Sequence, residues 1–246
     1  MRWLLIIPRT FLTCAVGIIA TILGAVSVII LALINDTSPW IERVIRTWSR
    51  AWLWASGAKL TVEGVEHVDD QRSYVVVANH LSTLDIMACF LAVRLPIRYL
   101  AKTELFKIPV LAQGMRAAGI IEVDREARGA IHQKVNRQAK ELIDKKRSLI
   151  IYAEGTRPRD GSLKPFKKGA FTMAISSGLP VLPVTIHGTY EAFPPGQVWV
   201  RGGPVRVVID PPIETSDLSL SDTTPLRDQT YALISERVRE MGGRVG

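Results

Sequence analysis

Phe11 to Ile34 is a run of 24 residues without a single charge. As a helix it extends about 36 Å at ~1.5 Å per residue, enough for a hydrocarbon core of ~30 Å. A cleaved signal sequence has a shorter apolar region, roughly 7–15 residues, and a small-x-small cleavage site; none stands out here. A buried core helix is the other alternative. Run length favours membrane attachment. Arg2 and Arg9 precede the run; Arg43, Arg46 and Arg50 follow it. The two flanks nearly balance, which biases the C-terminal side only weakly toward the cytoplasm. Crossing the bilayer and dipping back out of it both remain open.

The next segment has a different pattern. Ser38-Pro39 is a helix start, a capping side chain followed by Pro at the first helical position. Trp40, Ile41, Val44, Ile45, Trp48 and Trp52 recur on one face, Arg43, Arg46 and Arg50 lie on the other, and Gly57 is a stop. Five of the six Trp precede residue 55, and Trp favours the bilayer interface. This predicts an amphipathic helix in the membrane surface. Residues 1–57 are read as membrane-anchoring helices and residues 58–246 as a separate α/β domain.

That second part alternates short apolar runs with helical stretches. Strands are expected at 60–63, 74–78, 98–101, 120–123, 149–153, 181–186, 198–201 and 205–209. Helices are expected at 82–93, 108–118, 129–145, 168–177 and 225–241, the third with Ile131, Val135, Leu142 and Ile143 on one face. This alternation predicts a mostly parallel sheet flanked by helices. Pro194-Pro195-Gly196 and Gly202-Gly203-Pro204 mark turns between late strands, a smaller antiparallel portion.

Composition excludes several classes. With 48% apolar residues the chain is not disordered. Cys14 and Cys89 cannot make a disulfide framework, and with four His they give no zinc spacing. G-x-G-x-x-G, Walker-type and G-x-S-x-G loops are missing from the sequence. The net charge of +8 is localised: residues 94–170 carry 18 Lys/Arg against 8 Asp/Glu, and the rest is slightly acidic. Aromatic residues are sparse there, which argues against single-stranded nucleic acid.

The polar residues follow strands. Asn79-His80, Lys102, Asp124-Arg125 and Glu154-Gly155-Thr156-Arg157 each come directly after a predicted strand. Ligands of open parallel sheets bind beyond the carboxyl ends of strands. If these strands are parallel, a His, three cations and several carboxylates share one edge. Asp85 could fix the His80 tautomer, so that the other ring nitrogen takes a proton. Ser82-x-x-Asp85 is also a capping-box pattern, and one carboxylate cannot fully serve both roles. Arg157 offers a fork suited to phosphate. Lys102 is informative only through its placement. Phe166-Lys167-Lys168-Gly169 could open a helix at an anion-friendly end; a solvated basic entry fits as well. His67 and His132 read as solvated, and His187 as a weaker site candidate.

In order along the chain, four blocks resemble the 1-acyl-glycerol-3-phosphate acyltransferase family. They are Asn79-His80-Leu81-Ser82-Thr83-Leu84-Asp85, Gly119-Ile120-Ile121-Glu122-Val123-Asp124-Arg125, Glu154-Gly155-Thr156-Arg157 and Val181-Leu182-Pro183-Val184. Ala153 stands where the third block has Phe, and Thr103 is a second flanking departure. The resemblance covers roughly residues 58–210. It implies acyl transfer from acyl-CoA or acyl-carrier protein to the 2-hydroxyl of lysophosphatidic acid, at a membrane. It implies His80 as general base held by Asp85, with Arg157, Lys102 and Arg125 on the acceptor phosphate. Glu154, Gly155, Thr156, Asn79 and Ser82 would shape the acceptor pocket. No metal, prosthetic group or nucleic-acid partner is implied. The expected location is a bacterial inner membrane with the catalytic domain cytoplasmic. Another lyso-lipid acceptor, such as a lyso-ornithine lipid, is the alternative.

Overall fold

The computed structural model describes residues 3–123 and 140–246. Asp124, Arg125, Ile131, His132, Val135 and the first part of the helix expected at 129–145 lie outside them. Residues 140–144 are helical, and Leu142 packs with Ile121 and Leu149.

Two helices come first. The uncharged run lies within α1 (Trp3–Ile34), and α2 (Pro39–Ser56) folds back along it. The expected punctuation is used. Ser38 Oγ accepts the Trp40 N–H, Pro39 opens the helix, and Gly57 ends it with φ +67°, a left-handed conformation that favours glycine. Small residues let the pair approach closely. A Cβ on Gly17 would fall 2.4 Å from the Trp52 ring.

Among the described residues the sheet has seven strands. β1 (Ala58–Glu63), β2 (Val75–Ala78), β3 (Ile97–Lys102), β4 (Ile121–Val123), β5 (Ser148–Tyr152), β7 (Val181–His187) and β8 (Gly203–Ile209) lie in the order β1-β8-β7-β2-β5-β3-β4. Every neighbouring pair is parallel except β7 with β8. The antiparallel portion is thus β1 and β8. A separate pair joins β6 (Ser162–Leu163) to β9 (Arg244–Val245). β2 is buried at every position, as a strand covered on both faces must be.

One face is covered by α1, α2, α3 (Leu84–Ala92) and α4 (Leu111–Ala118), where Ile41, Phe90 and Tyr99 join one core. The other is covered by α5 (Gly169–Ser177) and α7 (Thr223–Glu240), where Phe171, Leu226 and Ile234 pack on Val75 and Val77. The short α6 (Thr189–Ala192) follows β7.

Val198–Arg201 is not a strand, contrary to expectation. Its backbone bonds elsewhere. The Val200 N–H donates to Thr10 Oγ1 of α1 at 2.9 Å, and the Arg201 N–H donates to Ala192 O at 2.8 Å. The Arg201 carbonyl accepts from Arg9. At the far end of α1, Lys145 bonds the Asp36 carboxylate and Arg147 its carbonyl. The body therefore grips α1 near both ends.

Candidate active site

β2, β5, β3 and β4 are parallel neighbours, so the residues following them share one edge. β2 delivers His80, β5 delivers Glu154, and Lys102 ends β3 in an exposed position. Lys102 stands two strands from β2, about 10 Å at ~4.8 Å per strand. Arg125 follows β4 but lies outside the described residues.

His80 and Asp85 meet. Asp85 Oδ2 accepts His80 Nδ1–H at 2.8 Å. The same oxygen accepts the backbone N–H groups of Leu81 at 2.6 Å and Ser82 at 2.7 Å. The expected competition between tautomer control and helix capping does not arise, because one oxygen meets three converging donors. α3 begins at Leu84 rather than Ser82, and its N-cap Thr83 makes no side-chain capping bond. With Nδ1 as donor, the lone pair of the neutral ring sits on Nε2. Asp85 is fully buried and its Oδ1 has no partner among the described residues. That isolation concentrates the carboxylate on the ring and the loop.

Glu154 braces the same loop. Its Oε1 accepts the His80 backbone N–H and its Oε2 accepts the Lys164 N–H, both at 2.7 Å. Burial pushes this carboxyl up to about 7, against the opposing pull of those two bonds. Gly155 follows with φ +77°, and a Cβ there would fall 2.8 Å from Lys167 Nζ. The left-handed turn favours glycine, and the Lys167 chain packs against the space its missing Cβ leaves. Arg157 is exposed, and its guanidinium bonds Thr83 Oγ1 at the entry to α3. Thr156 is exposed beside it.

Two expected pocket residues are engaged otherwise. Asn79 bonds both the N–H and the carbonyl of Ile186, which ties the end of β2 to β7. Ser82 Oγ donates to Phe193 O at 2.7 Å. His187 ends β7 beside a small polar cavity that also includes Asn79 and Asp160.

Sequence reasoning missed what lies behind the histidine. The Tyr152 ring stacks on His80 with centroids 3.8 Å apart and planes 6° apart. Pairing of Ala78 with Tyr152 places it there. The signal was strand register, which a single sequence does not print. Tyr99 stands behind Tyr152 at 5.6 Å. Cys89 lies beside both phenols, and burial pushes its thiol up to about 12, so it remains protonated.

Tyr99 also borders an apolar cavity of about 290 Å³. Its walls come from α1 (Gly24, Ala25), α2 (Trp48), α3 (Ile86) and α4 (Gly114), and Thr83 is at its rim. The indole N–H groups of Trp48 and Trp52 both point at Thr21 Oγ1, at 3.0 and 3.4 Å. The lining is therefore almost wholly hydrocarbon. The edge combines an Asp-held imidazole and a guanidinium, and an apolar cavity lies near them, lined in part by Thr83 and Tyr99.

Known proteins give a consistent comparison. A family model described as Acyltransferase matches residues 59–187. The chain is 34% identical over 218 residues to a chloroplastic 1-acyl-sn-glycerol-3-phosphate acyltransferase of Brassica napus, covering 83% of this chain and 62% of that protein. It is 30% identical over 191 residues to a 1-acyl-sn-glycerol-3-phosphate acyltransferase of Borreliella burgdorferi, covering 76% of each. The crystal structure of the 1-acyl-sn-glycerophosphate acyltransferase PlsC from Thermotoga maritima superposes with a TM-score of 0.84 at 25% identity, over 100% of both chains. Against four plant relatives the chain spans between 48% and 62% of their length.

Proposed function

The chain belongs to the 1-acyl-sn-glycerol-3-phosphate acyltransferase family, and from that premise we propose that it acylates the 2-hydroxyl of lysophosphatidic acid at a membrane, forming phosphatidic acid. One observation carries the reading: an Asp-held imidazole with Nε2 open stands beside an apolar cavity and a cationic fork. The acyl donor is a thioester, acyl-CoA or acyl-carrier protein.

His80 Nε2 takes the proton of the acceptor hydroxyl as its oxygen attacks the thioester carbonyl. The tetrahedral adduct collapses, the C–S bond breaks, and the imidazolium returns the proton to the leaving thiolate. Asp85 holds the ring and stabilises its charged form. Arg157 and Lys102 bind the acceptor phosphate, with Arg125 as a third cation. Gly155 and Thr156 form the turn that carries Arg157 there, and Glu154 and Asn79 hold that edge together. Ser82 is not the nucleophile in this scheme, because its hydroxyl already donates to Phe193 O. No metal or prosthetic group takes part.

The membrane contact is α1. Phe11, Ile18, Ile22, Leu23 and Leu33 face outward from it, Leu33 with 83% of its surface exposed. About 27 residues separate Arg9 from Asp36, ~40 Å of helix, and the body holds both. We take α1 to lie along the bilayer surface, its outer face in hydrocarbon and Trp40 and Trp54 at the interface. The body then faces a bacterial cytoplasm, with the basic face of α2 turned to anionic headgroups.

The test is acylation by purified protein in mixed micelles. The parent should convert lysophosphatidic acid and not the same lipid without its phosphate. His80→Ala should lose a factor of roughly 10²–10⁴ in kcat. Parent-level turnover by His80→Ala rejects the mechanism, and equal use of both lipids rejects the acceptor.

A further inference from the structure

We propose that Tyr152 is a positioning residue for His80: its ring fixes the tilt of the imidazole, and its π face stabilises the imidazolium formed during transfer. The proposal rests on the reading of His80 as base. Asp85 holds the imidazole by one edge, through Nδ1. A single in-plane hydrogen bond sets where that edge points but leaves the ring free to rock about the bond. Rocking would swing Nε2 away from the acceptor hydroxyl. A parallel ring at 3.8 Å and 6° closes that freedom from one side. Positioning of this kind matters because small displacements of a catalytic group cost large factors in rate.

The supporting ring is itself held. The Tyr152 hydroxyl lies 3.5 Å from that of Tyr99. Tyr99 donates to Ile86 O at 3.0 Å and packs edge-on against Phe90 at 4.9 Å. A column of rings therefore runs from α3 to the base, the same helix that carries Asp85. Asp85 on α3 sets one edge of the imidazole, and Tyr152 on β5, backed by Tyr99 of β3, sets its face.

Charge adds to the effect. When Nε2 takes a proton the ring becomes a cation lying on an aromatic face, an arrangement that attracts. The neutral ring in the resting state gains less, so the contact favours the later state over the earlier one. The phenol hydroxyl adds no charge here, since burial raises it well above its ordinary range, and its 3.5 Å contact with Tyr99 is long, so the ring supplies most of the support. Phenylalanine should therefore do the work of tyrosine at this position.

The experiment compares Tyr152→Phe, Tyr152→Leu and Tyr152→Met with the parent in the lysophosphatidic acid assay, beside thermal unfolding of each. We expect Tyr152→Phe within about twofold of the parent. Leu and Met should lower kcat by about 3- to 30-fold, with KM for both substrates within about twofold. Unchanged kcat in the Leu and Met variants overturns the proposal. So does a loss carried by KM, or a Phe variant as poor as Leu. Failure of both Leu and Met to fold makes Tyr152 a structural residue and overturns it too. His80→Ala, run alongside, separates the two ideas: if it keeps parent activity, the base reading falls whatever the Tyr152 variants do.

Discussion

At the scale of single residues, the site depends on carboxylates that each hold several donors. Asp85 Oδ2 accepts three; Asp85→Asn can keep its amide oxygen on them but loses the negative charge that favours the imidazolium, and it buries an NH2 where Oδ1 has no partner among the described residues. Its kcat should fall nearly as far as that of His80→Ala, with KM for lysophosphatidic acid little changed. Glu154 gives a pH signature. Burial raises its carboxyl from an ordinary 4.5 to about 7. Between those values the folded chain keeps a proton that the unfolded chain has released. Its contribution to stability is therefore full below about pH 4.5, falls as pH rises toward 7, and stays low above. Glu154→Gln does not titrate. From pH 4.5 to 8 the parent should lose about 1–3 kcal/mol relative to Glu154→Gln, at ~1.36 kcal/mol per unit. Thermal unfolding of both proteins across that range measures it, and a constant difference rejects it. His80, Asp85, Glu154 and Arg157 were legible in the sequence because each follows or opens an element with a distinctive neighbour pattern. Tyr152 was not, because a tyrosine inside an apolar strand reads as core until the neighbouring strand's register is known.

At the scale of elements, α1 and α2, the helices proposed to meet the membrane, also line the apolar cavity near the candidate site. Ala101 of β3 borders the apolar cavity. Ala101→Leu adds three carbons to that cavity and displaces about as many from a bound chain. At ~0.8 kcal/mol per buried methylene, three come to about 2.4 kcal/mol, so the longest acyl donors should be disfavoured by roughly 60-fold. Shorter ones should keep their rates, as competition between donors of different length would read. A second contact joins α2 to the sheet. Arg98 of β3 is fully buried, donates to Ala118 O, and pairs with Glu42 of α2. Glu42→Ala leaves that cation without its counter-charge and should destabilise by about 3 kcal/mol. Glu42→Leu with Arg98→Met should recover most of it in the same unfolding assay. The hairpin's caps at Ser38 and Gly57 could be read from sequence because capping chemistry is local. Val198–Arg201 misled because its alternation resembles a strand, while its backbone bonds go to α1 and Ala192. Thr10, the α1 partner, lies 190 residues away in sequence.

At the scale of the molecule, the basic excess of residues 94–170 serves two ends. Arg98, Lys145 and Arg147 bind the helical hairpin, whereas Lys102, Arg157 and Lys167 stand at the strand edge. Charge counting found the stretch but not the division, since the sign of a residue says nothing about which face it occupies. The parallel order of the sheet was readable from its apolar runs, and an antiparallel portion among the late strands from their turns; that β1 joins β8 in it was not. The proposed role of α1 as cavity wall has its own consequence. Replacing residues 3–34 with an unrelated membrane helix of equal length should keep the protein at membranes and abolish acylation, measured as membrane-bound protein against product formed. Restored turnover in that chimera would show α1 to be an anchor alone. The grip of the body on both ends of α1 reaches beyond catalysis. On the proposed reading, a helix fastened that way touches one leaflet, and each turnover leaves a two-chained lipid in the same monolayer that supplied the one-chained acceptor. That monolayer gains area while its opposite does not, so every cycle creates an imbalance that lipid movement between the two sheets must relax.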